Sequence, residues 1–237
     1  MLEEKTKNPF VEGEVLLFDK PLYWTSFDLV NKVRIMIRES FGLEKIKVGH
    51  AGTLDPLASG LMIICTGKAT KKLDEYSGLD KEYVAEIYLG STTPSFDLET
   101  EIDASYPTDH ISEKLIRETL KKFLGEQEQT PPVYSAKLIG GKRAYEFARK
   151  GIDADIQPVK VIFRQIELLS FDMPIITVRI VCSKGTYIRA FARDFGQAIG
   201  SGAFLASLKR TALGPFSLTD AMDIKKFDVF LEKMKQV

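Results

Sequence analysis

Apolar residues in this chain recur at two different spacings, and the spacing changes several times between residue 14 and the C-terminus. "EVLLFDKP" (14–21) is a short apolar run closed by Pro21 and reads as a buried strand. Beyond it, Leu29, Val30, Val33, Met36 and Ile37 repeat at helical spacing, with Ser26 placed to cap the helix. "LMIIC" (61–65) is continuous and strand-like, whereas "EYVAEIYLG" (82–90) puts Tyr83, Ala85, Ile87 and Leu89 on one side with a period of two. Residues 112–124 form an amphipathic helix, with Ser112 as its cap, Leu115, Ile116, Leu120 and Phe123 as its stripe, and Gly125 as its stop. Residues 143–150 read as a short basic helix, 159–169 and 175–182 as strands, and 188–199 and 203–209 as helices separated by "GSG". A last helix places Ile224, Phe227, Leu231 and Met234 on one face. Strands and helices do not alternate strictly, so the pattern predicts an α+β architecture: a mixed, mainly antiparallel sheet flanked by helices.

Composition narrows the class without naming a function. At 237 residues, 44% hydrophobic and 28% charged, the chain has the make-up of a globular protein with a sizeable core. Its N-terminus "MLEEKTKNPF" lacks an apolar stretch, and no apolar run approaches the roughly 18 residues that span a bilayer. Two cysteines and two histidines give neither a disulfide framework nor a metal-ligand cluster by spacing, which suits a reducing cytoplasm and predicts no metal.

A formal net charge of zero argues against nucleic acid until the charge is mapped. Residues 74–109 hold ten acids against Lys81 alone. Residues 137–164 hold seven bases against three acids, and residues 182–211 hold five against one. A neutral sum therefore permits a basic face and an acidic one. By charge alone, both also read as solvated surface.

Two stretches carry candidate chemistry. "KVGHAGTLDPLASGLMIICTGKATK" (47–71) sets Asp55 before a proline in a turn rich in glycine, with His50 and basic residues on either side. Proline pushes the residue before it towards an extended backbone, so the Asp55 carboxylate can project; the same pair also reads as a plain structural turn. The segment is not a phosphate loop: Gly67-Lys68 is followed by Ala69, and an apolar strand occupies the place of the loop. In "CSKGTYIRAFARDFGQAIGSGAFLASLKRT" (182–211), Tyr187 and Arg189 near a helix start offer a flat ring and a planar cation, a pair suited to an unstacked base. A core tyrosine and a surface ion pair are the alternative.

These two stretches, with "LKRTALGPF", "DKP…TS" (19–26), "YVAEIYLGSTT" (83–93), "QTPPVYSA" and "GKRAYEFARKG" (129–151), resemble the TruB family of pseudouridine synthases over most of residues 14–217. The resemblance implies a pseudouridine synthase fold in a single catalytic domain. It implies isomerisation of a uridine in the T-loop of tRNA, position 55 in tRNA numbering, with no cofactor because nothing is added or oxidised. The family's aspartate falls on Asp55, its paired arginine on Arg189 and its base-stacking tyrosine on Tyr83. Lys20, His50, Tyr187 and Leu208 match residues around the substrate. Lys68, Lys71, Lys142, Arg143, Arg149, Lys209 and Arg210 are expected on the RNA backbone, where cations position rather than specify. The target base must be flipped out of its stack.

The chain departs from the family pattern in three places. Tyr23 stands where the "DKPxGxTS" pattern has glycine, and Leu138 stands where "YSAxK" has lysine, with Lys137 one place early. Only 21 residues follow Phe216, so the resemblance implies a form without the C-terminal PUA domain. That implies in turn action on the T-arm of tRNA without guide RNA; a monomer is expected. A non-catalytic RNA-binding factor is the competing reading. A glycosidase is weaker, because no second carboxylate stands out near Asp55.

Overall fold

The computed structural model describes residues 8–133, 138–139, 142–143 and 156–235, the two short middle segments by backbone alone. In chain order its helices are α1 (Pro9–Glu12), α2 (Ser26–Phe41), α3 (Leu73–Gly78), α4 (Glu113–Lys122), α5 (Ile188–Ala198) and α6 (Ile224–Met234). The strands that position the candidate residues are β1 (Val15–Lys20), β2 (Val48–His50), β3 (Ala58–Thr66) and β4 (Lys81–Leu89). Further on come β5 (Ser91–Thr92), β6 (Ala104–Ser105), β7 (Gly125–Gln129), β8 (Leu138–Ile139), β9 (Lys142–Arg143), β10 (Val159–Asp172), β11 (Ile175–Cys182), β12 (Ala203–Leu213) and β13 (Phe216–Ser217). Two compact units result, one of residues 1–81 and 209–237, the other of residues 82–208.

In the first unit β3 is the central strand. β1 pairs with it antiparallel from Val15↔Cys65 to Lys20↔Gly60, and β2 pairs with its far end from Val48↔Thr66 to His50↔Ile64. The apolar run of β3 is buried on both faces, as a strand covered on both sides must be. On one face Leu61, Ile63 and Cys65 pack with Val15, Leu17, Tyr76 and Phe216. On the other, Phe18 meets Phe227 of α6 edge-on at 5.0 Å, and Phe227 meets Phe10 at 6.5 Å. The second half of β12 runs along β3, with Gly60 at φ +106°; a Cβ there would lie 2.3 Å from the Arg210 carbonyl oxygen. Only glycine admits this approach.

In the second unit the strands run β12, β4, β11, β10, β7, with the last two pairings of that run antiparallel. β4 alternates as the sequence predicts, burying Lys81, Tyr83, Ala85, Ile87 and Leu89. Arg179 on β11 bridges Glu82 on β4 at 2.9 Å and Glu167 on β10 at 2.8 Å, a cross-strand triad on the sheet surface. Phe123 at the end of α4 packs on Phe191 and Phe195 of α5, with the Phe123–Phe191 centroids 5.2 Å apart, and Phe163 of β10 meets Phe191 at the same distance.

The mainly antiparallel sheet with flanking helices agrees with the α+β expectation. The expected helix at 203–209 is instead the strand β12. Alanines and leucines give "AFLASL" helical propensity, but pairing with the neighbouring strand β4 satisfies its backbone. Arg143, expected to open a basic helix over 143–150, lies with Lys142 in β9, and residues 144–155 fall outside the described residues.

Candidate active site

The turn carrying Asp55 belongs wholly to the first unit and is fastened at four points. Ser26, 4% exposed, donates its hydroxyl to the Leu54 carbonyl and accepts from the Leu54 amide, both at 2.9 Å. Arg210 donates through its guanidinium to the Gly52 carbonyl at 3.2 Å and to Leu61 at 2.7 Å. The Tyr23 amide donates to the Pro56 carbonyl at 2.7 Å, and the Ala58 amide to the Asp55 carbonyl at 3.0 Å. Asp55 itself is half-buried, so its carboxylate sits at the surface of a rigid loop rather than in the core. Such fastening keeps a reactive group in one geometry, which a nucleophile or base requires.

Lys20 lies under this turn with no exposed surface, donating to the Pro21 carbonyl at 2.9 Å and the Trp24 carbonyl at 2.6 Å. Burial draws its pKa down to about 8, while the nearby Asp55 carboxylate opposes the shift. His50, half-buried at the end of β2, has its imidazole pKa lowered by burial, which favours the neutral ring. Its Nδ1 has no hydrogen-bond partner among the described residues.

The second unit holds the other residues named by the motif. Tyr187 caps α5, and Gln129 clasps its backbone at both ends: the Tyr187 amide donates to Oε1 at 2.9 Å, and Nε2 donates to the Tyr187 carbonyl at 3.1 Å. Arg189 follows in the first turn of α5, 5% exposed. Its Nε lies 3.5 Å from Asp97 Oδ2, and its Nη1 donates to the Ser95 carbonyl at 3.4 Å. Asp97 is 4% exposed and accepts the Glu99 amide on Oδ1 at 2.9 Å, so both carboxylate oxygens are engaged. Tyr83 on β4 and Leu208 on β12 are buried.

Among the expected RNA-facing cations, Lys68, Lys71 and Lys209 are exposed, with Lys68 bound to Glu12 at 2.6 Å. Arg210 is a correction: it is 1% exposed and serves as an internal strut, not a surface cation. It follows Lys209 on a strand, where neighbours point to opposite faces. The side chains of Lys142 and Arg143 and the whole of Arg149 lie outside the described residues.

Sequence reasoning missed three residues that hold the candidates in place. Ser26 was expected to cap α2, but Thr25 does so in a reciprocal box with Asp28, leaving Ser26 free to hold Leu54. Asp97 was lost in the acidic 74–109 run, expected as a solvated face; no local spacing separates it from its exposed neighbours. Gln129 gave no signal beyond standing just before "TPP".

Comparison with known proteins gives a family model described as "TruB family pseudouridylate synthase (N terminal domain)", matching residues 38–188. A tRNA pseudouridine synthase B of Phocaeicola vulgatus is 56% identical over 226 residues, covering 95% of this chain and 96% of that protein. One from Parabacteroides distasonis is 56% identical over 224 residues, covering 94% and 95%. Among solved structures, a crystal structure of a Cbf5–Nop10–Gar1 complex contains a chain that superposes with a TM-score of 0.72 at 27% identity. That match takes in 96% of this chain but only 57% of the other.

Proposed function

The chain belongs to the TruB family of pseudouridylate synthases, and from that membership we propose the following account of its chemistry. It isomerises uridine to pseudouridine in the T-loop of tRNA, at position 55 in tRNA numbering. The bond between ribose and the uracil nitrogen breaks, the base turns, and a bond from ribose to a ring carbon forms. The proton on that carbon leaves, and the freed nitrogen gains one, so atoms and electrons balance with no cofactor.

Asp55 acts on the ribose, either by attacking the anomeric carbon or by removing a neighbouring sugar proton. Among the other residues that the family pattern marks, Tyr83 stacks on the flipped base and serves its later proton transfer, Arg189 supplies positive charge, and Tyr187, Leu208, Lys20 and His50 serve the substrate. Lys68, Lys71 and Lys209, all exposed, meet RNA phosphates. Lys142, Arg143 and Arg149 join them. The enzyme works as a monomer in the cytoplasm, without guide RNA. Among the described residues no helix is long and apolar enough to cross a membrane.

The observation that carries this reading is the fastening of the Asp55 turn by Ser26, Arg210 and Tyr23. A pure binding factor has no need to hold one carboxylate so firmly. The test is incubation with unmodified tRNA transcript followed by chemical mapping. Pseudouridine at the T-loop position supports the reading; a bound but unmodified transcript contradicts it.

A further inference from the structure

Two non-glycine residues among those described have a left-handed backbone, Tyr23 at φ +67° and Phe96 at φ +63°. Side chains with a Cβ seldom adopt this region, and aromatic ones do so only where the surroundings dictate it. The two rings are treated differently. Phe96 is half-buried under the Arg193 guanidinium, 4.9 Å from the ring centroid. Tyr23 is 74% exposed, and Phe27, four residues on, is 65% exposed.

The backbone around Tyr23 is nonetheless held as firmly as a core element. Its amide donates to the Pro56 carbonyl at 2.7 Å, one residue past Asp55. Lys20 grips the carbonyls on either side of it, and the Thr25–Asp28 box closes the start of α2 at 2.6 Å. A strained, rigid turn that presents a bare ring is a costly way to make a loop. Glycine, which the family pattern places here, would make it without strain.

We propose that Tyr23 is a stacking platform for an unpaired base of the tRNA substrate, flanking the nucleotide that Asp55 acts on. The inference rests on the tRNA-modifying reading above and adds a positioning residue to it. A base offers a π-face whatever its identity, so a preorganised ring gives affinity and placement without reading sequence. Tyr23 touches no reacting atom and acts by holding the substrate.

The experiment compares wild type with Tyr23→Phe, Tyr23→Ala and Tyr23→Gly on unmodified tRNA transcript. Phe should bind and turn over within about twofold of wild type. Ala and Gly should each raise Kd and KM about tenfold, the loss of one base–aromatic stack, with kcat kept. The glycine variant should melt no lower than the alanine one, because it relieves the left-handed backbone. A transcript with 2-aminopurine in the loop should be quenched by wild type and by the phenylalanine variant but not by the alanine variant. The lone tryptophan, Trp24, reports binding at the same turn. Wild-type affinity in the alanine and glycine variants, or failure of phenylalanine to rescue, overturns the platform. If wild type binds the transcript but forms no pseudouridine, the activity reading falls instead, and the aminopurine quench alone decides the platform.

Discussion

Two arginines are buried among the described residues, one in each unit, and they do different work. Arg210 in the first unit spends its guanidinium on the Leu61 and Gly52 carbonyls and joins a strand to the Asp55 turn. Arg189 in the second unit lies against a carboxylate, Asp97, and one carbonyl, Ser95. A cation that meets only carbonyls is a strut; one balanced by an acid in a buried setting is held as a charge that further anions can use. Burial alone therefore does not tell a structural arginine from a functional one, and the partners do.

The largest expected difference between them is in rate. Arg189→Lys keeps a positive charge near Asp97 but loses the planar fork, and single-turnover pseudouridine formation should fall about 10²-fold while tRNA affinity stays within about threefold. If the rate is unchanged, Arg189 is no more than a second strut. Arg210→Met should show the reverse emphasis. Two buried carbonyls lose their donor, costing roughly 3 kcal/mol in urea unfolding, and the activity loss should follow the unfolded fraction. Asp97→Asn sharpens the contrast by leaving Arg189 without its balancing acid. A loss of about tenfold in rate with tRNA binding intact is expected; no loss would mean that Arg189 needs no partner from its own unit.

The pH dependence of stability separates the strut from the lysine near it. The folded-state pKa of Lys20 is drawn down to about 8 from 10.5 by burial. Between those two values the unfolded chain binds the proton and the folded chain does not, so stability rises with pH across that window. Relative to a Lys20→Met variant, wild type should gain stability from pH 8 to 10, which chemical denaturation at each pH would measure. A flat difference would mean that Lys20 keeps its charge throughout. The smallest effect is expected from Lys209→Ala. Exposed beside buried Arg210, it should weaken tRNA binding less than about threefold and lower the salt slope by roughly one, with the single-turnover rate unchanged.

The same pair of neighbours shows what could be read from the chain. Period-two burial in β4, the α2 and α4 stripes and the apolar β3 run were all legible, because each depends on its own spacing. The helix expected at 203–209 failed because strand pairing, not local propensity, decides that segment. Arg210 was expected beside Lys209 on the RNA backbone; neighbours on a strand point to opposite faces, so one of the pair is exposed and the other buried. Asp55 was legible through its glycine- and proline-rich turn. Ser26, Asp97 and Gln129 were not, because each acts on a residue 28, 92 or 58 positions away, and no local pattern encodes such a distance.

Everything in the account depends on the Asp55 carboxylate as the group that acts on ribose. Asp55→Asn keeps the size of the side chain and the fastened turn but removes the charge. Measured by single-turnover pseudouridine formation on unmodified tRNA transcript, with Kd for the same transcript alongside, it should lose more than about 10³-fold in rate and less than about threefold in affinity. Pseudouridine formed by this variant at the wild-type rate would contradict the account.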